Sequence, residues 1–319
     1  MTIAMFLTLS TLAAHAQTNA QCGTEEQTAL YSKFVAERKG TLERQKTASA
    51  TGKEYLSKFG ECASEEDKTI NKYIKDWQAK HEAAVDEFNC TNAVDNTPAK
   101  ASQLCGPYLA RDTENLRAYL LLSLAGIKNT KAADKNLNAE TVKTARKALE
   151  LIKAGKSVDK WILGDKKDEA AGTLEFYSAY LTMDTTPAAE TAAAMLTLAR
   201  SSTSYSKNPS TYLYLGRAIH NSEVKKLADE YKQTCTGKES TPECDAAYTK
   251  IEAAIDRVID AYARAVALSE GKPEYAKIAA VAKPDLADLY KERHEKELHE
   301  NTGTGLDKFV AEVLSKPIP

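Results

Sequence analysis

Beyond Cys22, apolar residues recur at the three-to-four-residue spacing that places them on one side of an α-helix. Leu30, Tyr31, Phe34 and Val35 share such a face within residues 24–39, and a second helix over 42–59 closes with Tyr55, Leu56 and Phe59 before Gly60. Residues 64–88 carry one stripe through Ile70, Tyr73, Ile74, Trp77, His81, Val85 and Phe88. The Asn/Asp/Thr/Pro-rich stretch 92–98 predicts a break, followed by a shorter helix over 99–111. Residues 114–127 are apolar on most sides, 128–138 read as a polar loop, and 139–154 form an amphipathic helix stopped by Gly155. Helices over 166–183 and 188–200 follow; between them Asp184 or Thr186 is the expected cap and Pro187 suits a first turn. Further helices are expected over 208–219, 251–268, 284–300 and 304–314. No sustained period-two alternation bounded by hairpin turns occurs, so the predicted class is all-α.

Hydrophobic residues make up 43% of the 319 and charged residues 28%, which excludes a disordered chain and a membrane-embedded bundle. Lys+Arg 43 against Asp+Glu 45 leaves a net charge of -2 with the signs interspersed, and nucleic acid is not an expected partner. Residues 3–14 are uncharged and mostly apolar, and Ala14-His15-Ala16 has the small-x-small form cut by signal peptidase. This predicts an export signal over 1–16, although no Lys or Arg precedes the apolar run. No later segment suits a membrane span, so no insertion is expected after cleavage. Six cysteines without a CxxC pair (Cys22, Cys62, Cys90, Cys105, Cys235 and Cys244) fit disulfides in an oxidising compartment, the periplasm or outside the cell.

Two features suggest repetition. Residues 52–58 resemble 106–111, each near the end of a second helix. More specifically, Tyr212, Leu215, Gly216 and Ile219 have the aromatic, Leu-Gly and large-residue spacing of the first helix of a tetratricopeptide repeat. Residues 251–268 resemble the matching second helix, with Tyr262 and Ala265 in the aromatic and small positions and Pro273 beyond it. Val258 stands where a smaller residue is usual, and an insertion containing Cys235 and Cys244 lengthens the unit. The resemblance covers about a fifth of the chain. It implies a stack of antiparallel helical hairpins that binds partners on a concave face, without catalysis.

Six cysteines allow many connectivities, but antiparallel hairpins favour sequential ones: Cys22–Cys62, Cys90–Cys105 and Cys235–Cys244. The resulting division is a signal at 1–16, disulfide-bearing hairpins at 17–112, central hairpins at 113–203, the repeat-like hairpin at 204–272 and capping helices at 273–319.

Catalytic constellations are not apparent. His294 and His299 are five apart, not the four that stack two zinc ligands on a helix, so no metal is expected. Gly155-Lys156-Ser157 ends like a phosphate loop, but Glu150 stands where the first glycine is required. No cofactor is expected. Tyrosine dominates the aromatics, and Tyr205 and Tyr214 are the candidates for touching a partner. The expected function is an exported protein-binding scaffold, acting on a protein partner or by self-association into an oligomer or filament. The alternatives are a carbohydrate-active enzyme on an α/α scaffold, which needs paired carboxylates in a cleft, and a small-ligand carrier.

Overall fold

The computed structural model describes residues 22–131, 138–237, 241–298 and 304–319, and the expected leader at 1–16 lies outside them. The chain divides into two compact units, Met1–Phe88 and Asn89–Pro319. Among the described residues all regular structure is helical and no strand occurs.

In the first unit, α1 (Glu25–Glu37) and α2 (Leu42–Phe59) pack against each other and against the part of α3 (Glu65–Asn96) that precedes residue 89. Each of the first two begins on a threonine. Thr24 accepts from the Gln27 N–H at 3.2 Å and Thr41 from the Arg44 N–H at 3.4 Å, satisfying amides that the first turn leaves free. Phe34, Ala48, Tyr55, Phe59 and Ile74 form the core. The buried Gln27 donates to the Tyr55 hydroxyl at 2.9 Å and to Asp67 at 2.6 Å, tying all three helices together. Cys22 and Cys62 are bridged with their Cα atoms 5.8 Å apart, so the start of α1 lies beside the end of α2, as antiparallel helices require.

The expected break at 92–98 is shorter than its composition suggests. The helix runs on to Asn96, because Asn92 and Asp95 are tolerated near a helix C-terminus, and only Pro98 forbids continuation. Cys90 therefore sits inside α3, and its bridge to Cys105 joins α3 to α4 (Ala101–Arg111) across the turn. The resemblance between 52–58 and 106–111 is not a shared packing role. A Cβ on Gly52 would meet the Gln78 side chain at 2.8 Å and Ile74 at 3.0 Å, whereas one on Gly106 would meet nothing within 4 Å.

The second unit continues through α5 (Leu116–Lys131), α6 (Asn138–Lys153), α7 (Lys167–Thr182), α8 (Ala188–Ala199) and α9 (Pro209–Ile219). A π-helical turn (His220–Val224) leads into α10 (Lys225–Thr234), followed by α11 (Pro242–Ser269), α12 (Ala276–Leu298) and α13 (Thr304–Val313). The most extensive contacts join neighbours along the chain: α5 with α6, α6 with α7, α8 with α9, α9 with α11 and α11 with α12. Gly155, at φ 87°, ends α6 as expected: its N–H reaches the Ile152 carbonyl and the Lys156 N–H reaches Leu151.

Four boundaries differ from the sequence pattern. Helix α5 extends to Lys131, because residues 128–131 add just over one turn with neither Gly nor Pro among them. Pro187 occupies the N-cap position of α8, with no side-chain cap, so neither Asp184 nor Thr186 serves. Helix α12 starts at Ala276 and passes through Pro284, whose lost hydrogen bond falls on an exposed side between the buried Ala282 and Leu286. Helix α11 starts at Pro242, where Thr241 caps the Cys244 N–H at 3.3 Å and proline suits the first turn.

Candidate functional site

Helices α9 and α11 hold the residues singled out by the repeat resemblance. Asn208 caps α9 by accepting from the Ser210 N–H at 2.9 Å, and Pro209 fills the first helical position. Tyr212, Leu215, Gly216, Tyr262 and Ala265 are buried, and Ile219 packs half-buried against the same core. Gly216 faces the Tyr262 ring so closely that a Cβ would lie 2.6 Å from Cε1 and 2.7 Å from Cδ1. Its missing side chain is therefore what admits the ring. Tyr212 turns its hydroxyl away from the contact and donates to the Ser206 carbonyl at 2.7 Å.

The segment between these helices is not a separate inserted hairpin. The π-helical turn carries α9 straight into α10, and α11 begins early, so both helices are prolonged into one two-helix arm. The arm is thin: α10 contains no fully buried residue. The Cys235–Cys244 bridge (Cα–Cα 5.7 Å) and the Tyr231–Tyr248 ring contact at 5.8 Å hold its end together.

Tyr205 and Tyr214 belong to one aromatic group with Phe176, Tyr177 and Tyr180 of α7. Phe176 lies 4.8 Å from the Tyr205 ring, and Tyr180 lies 5.0 Å from Tyr214, so the rings bridge α7 and α9. Phe176 is buried and the four tyrosines are partly exposed. Burial pushes the Tyr205 phenol up to about 12 and raises those of Tyr177 and Tyr214 as well. Tyr177, Tyr205 and Tyr214 are therefore neutral donors at physiological pH.

One turn beyond Tyr214 on α9, the surface changes character. Arg217, His220, Tyr262, Asp285 and Asp288 surround a cleft of about 530 Å³. Burial raises the Tyr262 phenol to about 12, with Asp285 adding to the effect and Arg217 opposing it. An aromatic face thus adjoins a pocket of mixed charge. Sequence spacing did not disclose this junction, because Asp285 and Asp288 come from α12, far along the chain.

The remaining candidates scatter. His81 stacks on Trp77 in the first unit with ring centroids 4.8 Å apart, and His299 lies outside the described residues. Among the described residues no group of three or more His, Cys, Asp or Glu side chains is placed to hold a metal ion, and no helix is long and apolar enough to cross a membrane. Compared with models of known families, with curated proteins and with solved structures, the chain matches none.

Proposed function

We propose that the chain is an exported, disulfide-stapled protein-binding scaffold of tetratricopeptide-like type. The hairpins of its second unit stack side by side, and the face shared by α7 and α9 recognises a protein partner. The observation that carries this reading is the tyrosine face itself. Tyr177, Tyr180, Tyr205 and Tyr214 are partly exposed, touch one another or Phe176, and lie beside the charged cleft at Arg217. Packed tyrosines give a partner large contact area at small entropic cost, and charges at their edge add orientation. Three bridges support an oxidising compartment.

Self-association is the simplest version to test. Light scattering after size exclusion on the oxidised protein would show oligomers that grow with concentration, and Tyr180→Ser/Tyr214→Ser would abolish them without loss of helicity. If the parent is a strict monomer, the same pair of proteins is used as bait in an envelope or culture-fluid extract. A partner retained by the parent and lost by the variant supports the scaffold. A monomer that retains nothing, or retention equal in both, overturns it.

A further inference from the structure

After α13 the chain leaves helical geometry, and residues 314–319 lie as a short strap between α11 and the end of α8. Its side chains do little to hold it: Lys316, Pro317 and Pro319 are exposed, and Ile318 packs half-buried against the core. Its backbone oxygens are held instead by two arginines. Arg264 of α11 donates through Nη2 to the Lys316 carbonyl at 2.8 Å and to that of Pro317 at 3.0 Å. Arg200, which caps the end of α8, donates to the backbone oxygen of Pro319 at 3.2 Å and lies 3.5 Å from that of Ile318. Four successive backbone oxygens thus face two guanidinium groups.

The backbone donors of the strap complete the match. The Ser315 and Lys316 N–H groups turn back to the Glu312 and Val313 carbonyls at 3.0 and 3.2 Å, and Pro317 and Pro319 have no N–H at all. An arginine side chain carries donors and no acceptor, so the site offers only donors to a segment that presents mainly acceptors. The two prolines also fix φ, which lowers the entropy lost on docking. Arg264 is held ready for this contact: its side chain is 5% exposed, and Asp260 accepts from its Nε at 2.7 Å, fixing the fork. A fork that reads carbonyls is indifferent to most side chains. Nothing in it distinguishes the chain's own strap from another segment of the same backbone chemistry.

We propose that Arg200 and Arg264 form a docking site for an extended X-Pro-apolar-Pro segment of a protein partner, with residues 316–319 as its resident occupant. The partner segment presents its backbone oxygens to both arginines, and its apolar residue takes the half-buried place of Ile318. Because the strap is tethered, it competes at high effective concentration. A partner therefore binds only the fraction of molecules whose strap is lifted, and its apparent affinity falls by that fraction. The strap acts as a threshold that excludes weak segments. The site is separate from the tyrosine face, and the proposal stands whether or not that face binds anything.

Fluorescence anisotropy with a labelled Leu-Ser-Lys-Pro-Ile-Pro peptide, capped at both ends, tests it on the oxidised full chain. The strap is released in a Pro317→Gly/Ile318→Ser/Pro319→Gly variant, which leaves both arginines intact. The released variant is expected to bind the peptide with Kd below about 1 mM, and the parent about tenfold or more weakly because its strap competes. In the released background, Arg264→Lys keeps the charge beside Asp260 but loses the fork, and weakens binding about tenfold or more. Arg200→Gln, at an exposed residue, weakens it in the same direction without loss of helicity. A peptide with alanine for both prolines binds several-fold more weakly. The proposal falls if the released variant binds no peptide up to about 10 mM. It also falls if parent and released variant bind equally, if both arginine variants keep the affinity, or if the alanine peptide binds as well.

Discussion

Replacing Gly216 by alanine sets two opposed effects against each other at one atom. Alanine is the better helix former by about 1 kcal/mol, so an unencumbered site in α9 would gain stability. Here the new Cβ would stand 2.6 Å and 2.7 Å from two carbons of the Tyr262 ring, well inside van der Waals contact. The ring is 4% exposed and rigid, so relief requires α9 and α11 to move apart. Overpacking of this kind costs about 1–3 kcal/mol, which leaves a net loss of about 0–2 kcal/mol. A double-mutant cycle separates the terms. In a chain already carrying Tyr262→Ala the overlap is gone, and Gly216→Ala should then stabilise by about 1 kcal/mol. The assay is urea denaturation followed by circular dichroism, with amide exchange by mass spectrometry to localise the change to 209–219 and 251–269. The expected coupling is about 1–3 kcal/mol. Equal gains from Gly216→Ala in both backgrounds would refute the close approach, and with it the packing argument for the repeat-like hairpin.

Other consequences follow from single contacts. Cys235→Ser/Cys244→Ser should speed amide exchange in 225–250 while leaving 251–269 protected, because the bridge closes only the thin end of the arm. Loss of protection throughout α9 and α11 would contradict that locality. Arg264, 4% exposed, donates to Asp260 at 2.7 Å and to the Lys316 and Pro317 carbonyls at 2.8 and 3.0 Å. Arg264→Leu should cost about 3–5 kcal/mol in urea denaturation, since it strands Asp260. The same change should open 314–319 to carboxypeptidase. Stability should also fall at alkaline pH. Half-buried Tyr205 and buried Tyr262 hold their protons to about 12 in the folded chain against 10.0 in the unfolded one. Their contribution is therefore complete below pH 10.0 and lost as the pH rises towards 12, because the unfolded state ionises first. A urea midpoint constant from pH 9 to about 11.5 would show that these phenols are exposed.

Helical class and most helix positions were legible because they depend on local periodicity. Thr24, Thr41 and Asn208 act as caps, and Gly155 as a stop, through bonds within a few residues of themselves. Boundaries failed where composition was weighed without its stereochemistry. Asn92 and Asp95 have turn-like composition, yet neither prevents helical backbone, and no proline or glycine occurs between Asn92 and Pro98. Pro284 looked like a start, yet on an exposed face one missing hydrogen bond is tolerated. The sequential bridges were accessible because antiparallel neighbours leave few other cysteines within reach. The cleft at Arg217 was not, since it needs side chains from three helices brought into register by packing.

The stack proposed for the second unit finds its support in where small residues lie rather than in any conserved-looking motif. Gly126 of α5, Gly172 of α7 and Gly216 of α9 stand at steps of about 45 residues, within the span of helical-repeat periods. Each lies against a close neighbour. A Cβ on Gly126 would overlap the Thr141 side chain of α6, one on Gly172 would touch Thr203 at 3.2 Å, and Gly216 admits Tyr262. The three contacts differ in chemistry: a threonine side chain, a threonine in a connecting segment and a tyrosine ring. Gly126 and Gly216 thus lie against the next helix of their pair, α6 and α11, whereas Gly172 lies against Thr203 in the segment after α8. In α9 the side opposite Gly216 carries Tyr214, two residues earlier in the helix. On this reading the close contacts and the exposed aromatic face are two sides of the same packing, so opening α9 from α11 should disturb the tyrosine face as directly as removing a tyrosine.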